Sequence, residues 1–477
     1  MSDLLLIGAF IATLFVYFLI GIPVAYALGL SSLTIMVLPI GPSLNFAVIG
    51  SRFFSGINSF VLLAIPFFML AGRLLNEGGA TEPLFDFARA IVGDVRAATG
   101  HVNIVASMIF SGMTGVAVAD AAGLGTIEYK SMKSEGYDDG FSVAITGSSS
   151  IIGPIIPPSL PLIIYGILAG VSIGQLFIAG IVPGLLIGLS LMVIVALYAR
   201  RYNYPGGESR NVSRLVETFL TAAPALLTPI IIIGGIMFGI FTPTESAIVA
   251  SLYGLLIGHF WYEGLSLAKT YYILRSTVID TAAIVLIVAT ANLYGYLLIV
   301  AGIPQQFALA VTGFSSDPLV ITLILVGLLL LIGTMLETIA ALTVFVPVLL
   351  PVVEAAGIDP VYFGIVMVFT LMIGLLTPPF GIILFVLERI TDVSVEKIVR
   401  AMGPFYVPLF LSLLVIVFFP KLVMVLPRMF LCRPLFFRVL PCVGTQSRFE
   451  PVASVSPSAC GRFTGTCQNQ RGFLIDE

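Results

Sequence analysis

The sequence predicts an all-α protein that crosses a membrane many times. Of its 477 residues, 58% are hydrophobic and only 10% are charged, whereas about a quarter of the residues in a soluble domain are charged. A transmembrane helix needs roughly 20 mostly apolar residues, so the chain has room for about ten full spans and for no large soluble domain. The net charge of −3 comes from scattered residues and gives no sign of a nucleic-acid partner.

Ten apolar segments, separated by short polar breaks, are predicted to be full spans. The N-terminus lacks the basic region and cleavage site of a signal peptide, so the first span is expected to be retained. The ten segments are 4–20, 22–40, 58–75, 141–170, 176–199, 219–240, 243–262, 276–301, 361–387 and 405–427.

Two longer segments, 97–127 and 318–353, are each too long for one span and too short for two. Small and polar residues interrupt both near the middle, at "SGMTG" (111–115) and at "IGTMLET" (332–338). We therefore expect two re-entrant hairpins, each of which enters and leaves on one side with its tip near mid-membrane. A single tilted or kinked span is the alternative for each.

The distribution of basic residues predicts the orientation, because Lys and Arg in short loops mark the cytoplasmic side. The first hairpin is flanked by basic residues such as Arg96 and Lys130, whereas the flanks of the second, 302–317 and 354–360, contain neither Lys nor Arg. The first hairpin is therefore expected to open towards the cytoplasm and the second towards the outside. The N-terminus is then external.

Opposed hairpins indicate an inverted repeat, and the sequence shows traces of one at an offset of 221 residues. We place the first repeat at 1–215 and the second at 216–427. Such repeats are typical of secondary transporters, whose binding site lies at the repeat interface near the midplane. The matching pairs are Gly112 with Gly333, Gly153 with Gly374, Pro157-Pro158 with Pro378-Pro379, and Pro183 with Pro404.

Prolines interrupt two of the predicted spans, at "IIGPIIPPS" (151–159) and at "LTPPFG" (376–381). Proline has no N–H group, clashes with the carbonyl one turn back and disfavours a helical residue before it. The spans 141–170 and 361–387 are therefore predicted to be broken helices. Freed carbonyl groups there can ligate a small cation, and the N-terminus of the following half-helix can bind an anion.

Hydroxyl-bearing and small residues accompany these breaks and the hairpin tips. Hydroxyl and carbonyl oxygens are hard ligands of the kind that an alkali cation accepts, although small residues also simply allow helices to pack closely. The residues are Ser148, Ser149, Ser150 and Thr377 at the breaks, and Ser111, Thr114, Gly333 and Thr334 at the tips.

Four acidic residues fall within or beside the predicted spans. Asp120 in the first hairpin and Glu337 at the tip of the second are functional candidates, because ionisable groups inside a membrane are costly. Glu245 and Asp280 lie near the starts of helices, where we expect them to cap the helix; a substrate or ion role is the alternative for Glu245.

Several motifs together resemble the large membrane subunit, DctM type, of the tripartite ATP-independent periplasmic (TRAP) transporters. The resemblance covers residues 1–427. The motifs include "GIPVAYALG" (21–29), "SGMTGVAVADAAGLGTI" (111–127), "IIGPIIPPS" (151–159) and "GLLTPPFG" (374–381).

The resemblance implies an inverted-repeat elevator, in which a transport domain built on both hairpins and both broken helices slides against a scaffold. It implies a bacterial or archaeal cytoplasmic (inner) membrane protein that imports an organic acid, such as a C4-dicarboxylate or sialic acid, with sodium. The expected partners are a small four-helix membrane subunit and a periplasmic solute-binding protein. Neither enzymatic activity nor a cofactor other than the coupling sodium ions is expected.

Carried over by motif, the resemblance also implies site residues. The sodium ions are assigned to Ser111, Ser149, Ser150 and Pro154 at the first site and to Gly333, Gly374 and Thr377 at the second. The organic anion is placed between the hairpin tips, near Thr114, Pro157, Ser159, Thr334, Glu337 and Pro378.

Alternatives remain at this point. A stand-alone sodium–dicarboxylate carrier or antiporter has a related architecture and needs no binding protein, and a channel could also contain re-entrant hairpins. The sequence leaves open which acid is carried, whether sodium or a proton is coupled, and the oligomeric state. The tail 428–477 departs from the family pattern and contains all four cysteines; on this topology it is external, where disulfides are permitted, and we assign it no function.

Overall fold

The computed structural model describes residues 2–38, 47–202, 204–207 and 211–431. Almost all of the predicted tail 428–477 and all four cysteines lie outside these ranges. Within them, the regular structure is helical, apart from one isolated bridge between Arg96 and Gly206. Seven helices are long and apolar enough to cross a membrane, and five shorter apolar helices accompany them. The predicted all-α polytopic membrane fold is confirmed.

Among the described residues before the first hairpin, 2–38 and 47–97, the chain forms five α-helices. The predicted span 58–75 is too short, because the helical path continues from a 3-10 turn at Phe60–Leu63 through a π-helical turn at Asn76–Ala80. Gly79 lies there at φ 98°, in the left-handed region, which glycine adopts without a steric penalty. The five helices are α1 (Ser2–Leu19), α2 (Val24–Val37), α3 (Ala47–Ile57), α4 (Ala64–Leu75) and α5 (Thr81–Val92).

The first hairpin reverses where the sequence predicts it. Helix α6 (Ala98–Thr114) leads to Gly115, which has φ 62°, and the chain returns through α7 (Ala117–Ala122) and α8 (Leu124–Ser134). Both return helices pack against α6. The return arm is divided at Gly123 and runs to Ser134, beyond the predicted end at 127.

The first proline-rich segment separates two helices, as predicted. Helix α9 (Asp139–Ser150) ends before it and α10 (Leu160–Ala169) begins after it. The hydroxyl of Ser159 caps α10 by accepting a hydrogen bond from the Leu162 N–H at 3.2 Å. The long helix α11 (Ile173–Tyr202) follows.

The middle of the chain forms α12 (Val212–Met237), α13 (Pro243–Phe260), α14 (Leu267–Val300) and α15 (Ile303–Phe314). Glu245 caps α13 in a reciprocal capping box with Thr242, as expected. The predicted span 276–301 begins too late, because the Ser266 hydroxyl caps α14 at Leu267 by accepting from the Lys269 N–H.

Asp280 therefore does not cap a helix, and that expectation was wrong. It lies well inside α14 and forms an ion pair with Arg73 of α4, whose guanidinium also bonds the Ser276 hydroxyl. The pair joins two helices that are distant in sequence.

The second hairpin and broken helix are followed by two further helices. The predicted span 405–427 is corrected, because α20 starts earlier and the chain is interrupted at Phe419, directly before Pro420. The helices are α16 (Pro318–Met335), α17 (Thr338–Ala355), α18 (Pro360–Leu375), α19 (Ile382–Thr391), α20 (Val395–Phe418) and α21 (Pro420–Leu431).

The core of the molecule surrounds α18. Every residue from Val361 to Leu375 is buried, as expected for a helix that is apolar on all sides. Helix α18 packs against α16, α11 and α17. The second break, which follows α18 directly, is thus attached to the most enclosed helix in the described structure.

Candidate functional site

The first hairpin tip lies directly against the first helix break. A methyl group added at Gly115 would overlap the carbonyl oxygen of Pro158 and would lie 3.1 Å from the Ser159 Cα. The Leu160 N–H donates to the Gly115 carbonyl at 3.3 Å. The tip residue Thr114 and the break residues Pro157 and Ser159, predicted from separate motifs, therefore lie in one region.

The predicted sodium ligands of the first break are buried and hydrogen-bonded. The hydroxyl of Ser149 donates to the Asn103 side-chain oxygen at 2.7 Å, and the Asn103 amide donates to the Thr146 hydroxyl at 2.8 Å. Ser150 donates to the Gly147 carbonyl at 2.9 Å, and Ser111 donates to its own helix. Because the hydroxyl hydrogens point at protein acceptors, the oxygen lone pairs are free to accept or to ligate.

The hydroxyl of Ser159 forms a hydrogen bond within the non-helical segment of the first break. Ser159 donates to the Pro154 carbonyl, so that its side chain both closes the loop and caps α10. Pro154 and Pro157 are buried. The segment is thus enclosed in protein, which is the condition under which non-helical backbone is tolerated at membrane depth.

The second hairpin tip contacts the second break through two glycines. A methyl group at Gly374 would lie 2.5 Å from the carbonyl carbon of Gly333. The Thr377 N–H donates to the Gly374 carbonyl at 2.9 Å, and its hydroxyl donates to the Ile373 carbonyl at 2.8 Å. Gly333, Gly374 and Thr377, the predicted second sodium set, therefore lie together.

The residues predicted for the anion near the second tip have unequal surroundings. Thr334 is half-buried and its hydroxyl donates to the Leu331 carbonyl at 2.8 Å, whereas Pro378 is exposed. The carboxylate of Glu337 caps α17 by accepting from the N–H groups of Ile339 and Ala340, at 2.9 and 3.2 Å.

Each hairpin also contacts the broken helix of the other half. The return helix α7 of the first hairpin packs against α19, and the return helix α17 of the second packs against α10. Both partner helices, α10 and α19, are the segments that follow a break. The two junctions are therefore parts of one interlocked arrangement, with two helix N-termini placed at proline-rich loops.

A polar cavity of about 710 Å³ lies at the connections between α8 and α9 and between α19 and α20. Its lining includes Lys133, Asp139, Lys397 and Arg400. Lys133 and Asp139 form an ion pair at 3.1 Å, and hydrogen bonding to Asp139 raises the pKa of the Lys133 ammonium group. The lining of this cavity thus contains both basic and acidic side chains.

The chain matches a family described as "Tripartite ATP-independent periplasmic transporter, DctM component" over residues 11–422. It belongs to this family. The DctM membership confirms the resemblance read from the motifs and makes the chain a transporter component, not an enzyme.

Relatives of the DctM family cover most of the chain. It is 44% identical to the sialic acid TRAP transporter large permease protein SiaM of Vibrio cholerae, over 86% of this chain and 96% of that protein. It is 34% identical to the C4-dicarboxylate TRAP transporter large permease protein DctM of Pseudomonas aeruginosa, over 84% and 93% of the two chains.

A solved structure supports the fold alone. The YdaH transporter of Alcanivorax borkumensis superimposes with a TM-score of 0.56 at 14% sequence identity, over 79% of this chain and 88% of that one. This likeness agrees with a polytopic helical transporter fold.

Sequence reasoning missed the side chains that form hydrogen bonds with or beside the predicted sodium ligand Ser149. The Asn103 side chain of α6 bonds two hydroxyls of α9, those of Thr146 and Ser149. An amide within an apolar helix was the available signal, since a buried amide needs partners. Its partners lie more than 40 residues away in the sequence, which local patterns do not show.

Proposed function

We propose that this chain is the large permease subunit of a TRAP transporter that imports an organic carboxylate by sodium symport. In this proposal, a periplasmic solute-binding protein delivers the acid, and a small four-helix membrane subunit completes the assembly in the bacterial or archaeal inner membrane. The observation that carries the proposal is the pair of interlocked junctions, in which each hairpin tip lies against a proline-broken helix.

The chemistry of both junctions is suited to this task. Two small-residue contacts bring backbone carbonyl groups close together, with hydroxyls beside them, and these are hard oxygen ligands. A helix begins after each break, at Leu160 and at Ile382, and helix N-termini favour anions. We take the substrate class from the names of two relatives, a sialic acid permease and a C4-dicarboxylate permease, because both substrates are carboxylates.

We further propose that the two junctions and the hairpins move together as an elevator, with the first hairpin opening to the cytoplasm and the second to the outside. The inverted repeat, 1–215 and 216–427, supplies the symmetry that alternating access requires. The mutual contacts of α7 with α19 and of α10 with α17 support movement as one body.

The test is uptake of radiolabelled sialic acid or succinate into proteoliposomes that contain this chain and its small membrane partner. We expect uptake that requires an inward sodium gradient and a cognate binding protein. Sodium-driven uptake by this chain alone would contradict the tripartite proposal, and it would favour a stand-alone carrier instead.

The sodium assignment is tested with two matched threonines, one within α18 and one just after its end. Thr370 and Thr377 both donate to the carbonyl four residues earlier, but only Thr377 lies at the break. Thr377→Val is expected to raise the sodium concentration for half-maximal uptake about tenfold, which corresponds to a loss of about 1.4 kcal/mol, whereas Thr370→Val leaves it unchanged. Equal sodium dependence in both variants would contradict the second site. Ser111→Ala tests the first site in the same way.

A further inference from the structure

An apolar cavity of about 430 Å³ lies between the N-terminal helix and the second hairpin. Its wall is built by α1 and α14, by α16 and α17 of the hairpin, and by α15. The inner part of the wall consists of buried side chains such as Phe10, Leu14 and Val344. None of the residues assigned above to sodium or to the organic anion lines this cavity.

The chemistry of the wall restricts what the cavity can hold. Its lining is apolar except at Tyr294 and Gln306, and among the described residues no charged side chain lines it. The Tyr294 hydroxyl is already engaged, because it donates to the Phe10 carbonyl at 3.2 Å. An ion would therefore be buried here without a counter-charge, which is costly. The occupant that fits is uncharged and mostly apolar, with one polar group that can reach the half-buried Gln306.

The cavity opens on a surface that faces the membrane. Ile11 lines it, lies near the middle of the predicted span 4–20 and is 53% exposed; Ala310 of α15 also lines it and is exposed. Val16, a neighbour of Ile11 on α1, is likewise exposed. At this depth the surrounding medium is the hydrocarbon of the bilayer. The molecules that can reach the opening from this side are therefore lipids.

The size of the cavity favours a hydrocarbon chain over water or empty space. Apolar cavities stay dry, and one of about 150 Å³ already binds benzene. An unfilled cavity also deprives its lining atoms of dispersion contacts. The cavity here is larger, at about 430 Å³, so it has room for a longer aliphatic group. Burying methylene groups in it is favourable.

We propose that this cavity binds one acyl chain of a membrane phospholipid, with the chain against the apolar wall and the lipid's ester group at the Gln306 amide. The amide N–H groups of a glutamine side chain can donate to an ester carbonyl. Because α1 and α14 form one part of the wall and α17 another, the bound chain contacts both the N-terminal helix and the second hairpin. Its consequence for transport rests on the proposed function; the lipid site itself does not.

The direct test places a tryptophan on the inner wall and a quencher in the lipid. The chain contains a single tryptophan, Trp261, which is first replaced by phenylalanine. Phe10→Trp is then introduced, and the full-length chain is reconstituted in nanodiscs of phosphatidylcholine with brominated or unmodified acyl chains. We expect the brominated lipid to lower the fluorescence of this variant, although Phe10 is only 1% exposed. Bromine quenches only at short range, so the loss reports an acyl chain inside the cavity.

Two variants in the same background calibrate the quenching. Phe369→Trp lies in the enclosed helix α18 and outside the cavity, so it should keep its fluorescence, whereas Leu189→Trp on the exposed face of α11 should lose it. Protection of Phe10→Trp equal to that of Phe369→Trp would overturn the proposal. Quenching of Phe10→Trp by iodide in the water, with no effect of the brominated lipid, would show a water-filled cavity and would also overturn it.

Photolabelling keeps the proposal falsifiable if Phe10→Trp does not fold. The wild-type chain is irradiated with phosphatidylcholine that carries a diazirine on its acyl chain, and the labelled residues are identified by mass spectrometry. We expect label at the buried lining residue Val344. Val348→Phe fills the cavity from α17 and should lower this labelling, whereas Val193→Phe makes the same change on the exposed face of α11. Equal labelling of Val344 in these two variants would overturn the proposal.

The position of the ester group is tested at Gln306. Gln306→Leu removes the amide, so it should lower labelling of the cavity by the phospholipid. Labelling by a diazirine-bearing alkane, which has no ester, should be unchanged. Equal labelling of wild type and Gln306→Leu by the phospholipid would overturn the placement of the ester group.

Transport gives an independent consequence. If the second hairpin slides past α1 and α14, the cavity between them must change shape, and a side chain that fills it permanently should hinder the movement. Uptake is therefore expected to be slower in Val348→Phe than in Val193→Phe. Equal uptake in the two variants would overturn the link between the cavity and transport. Absence of uptake in the wild type would instead count against the proposed function, while the fluorescence result would stand.

Discussion

The two junctions between hairpin tip and broken helix share a backbone arrangement but are held in different ways. At the first, side chains connect neighbouring helices, through Ser149 to Asn103 and through Ser159 across the break. At the second, backbone lies on backbone at Gly333 and Gly374, the Thr377 hydroxyl donates back to α18, and the Tyr406 hydroxyl of α20 donates to the Leu376 carbonyl at 2.6 Å. The first break is buried, whereas Phe380 in the second is 52% exposed.

The acidic residues of the two hairpins, Asp120 in the first and Glu337 in the second, also differ in their hydrogen-bond donors. Glu337 has its charge met by two backbone N–H groups at the start of α17, which is a favourable place for a carboxylate. Asp120 lies in the first turn of the short helix α7, and among the described residues its one hydrogen-bond donor is the Thr114 hydroxyl. Prolines and glycines therefore establish equivalent junctions, while the first break is buried and part of the second is exposed.

The largest effect is expected when the backbone contact of the first junction is broken. Gly115 and Gly170 both have left-handed backbone, at φ 62° and 66°, but a methyl group meets Pro158 only at Gly115 and meets no atom within 4 Å at Gly170. Both alanine variants incur the left-handed strain of about 1–2 kcal/mol. Gly115→Ala adds overpacking of about 1–3 kcal/mol, and we expect it to abolish transport.

Gly170→Ala controls for the strain alone, and thermal unfolding in detergent measures the difference between the variants. Equal stability and equal uptake for Gly115→Ala and Gly170→Ala would show that the first tip does not rest against its break. Gly374→Ala, with Gly327→Ala as the unobstructed control, applies the same comparison to the second junction.

An intermediate effect is expected from the hydrogen bond between Ser149 and Asn103 at the first junction. Ser149→Ala leaves the side-chain oxygen of Asn103 without its hydroxyl donor, and a buried unsatisfied group costs about 1–3 kcal/mol. Ser148 is equally buried but donates within its own helix, to the Ala144 carbonyl at 2.7 Å. Unfolding measured without sodium separates this structural loss from any loss of ion binding. Equal destabilisation by Ser148→Ala and Ser149→Ala would contradict a specific role for the connection.

The sequence predicted the features that depend on local chemistry. Pro154 and Pro157 cannot continue a helix, so the position of the first break followed from their missing N–H groups, and Gly115 marked the hairpin tip. Short helices such as α3, α5 and α15 were missed because none contains the roughly 20 apolar residues by which a span is recognised.

The side-chain partners could not be predicted for a different reason. Asp280 was expected to cap a helix, yet it pairs with Arg73, about 200 residues away. The burial of Asp120 against Gly153 likewise depends on how the hairpin meets the break. Such contacts are set by tertiary packing, whereas sequence periodicity reports only which face of one helix is apolar.

The smallest effect is expected at Glu337, and it separates the contribution of the cap's hydrogen bonds from that of the carboxylate charge. Glu337→Ala removes both hydrogen bonds to the start of α17 and should cost about 1 kcal/mol of stability. Glu337→Gln keeps an acceptor oxygen and loses only the charge, worth about 0.3–1 kcal/mol at a helix N-terminus. We therefore expect the unfolding temperature to fall in the order wild type, Glu337→Gln, Glu337→Ala. If Glu337→Gln were as unstable as Glu337→Ala, the charge of the carboxylate and not its hydrogen bonds would stabilise the start of α17. The different hydrogen bonds of Glu337 and Asp120 would then not describe how the two acids differ.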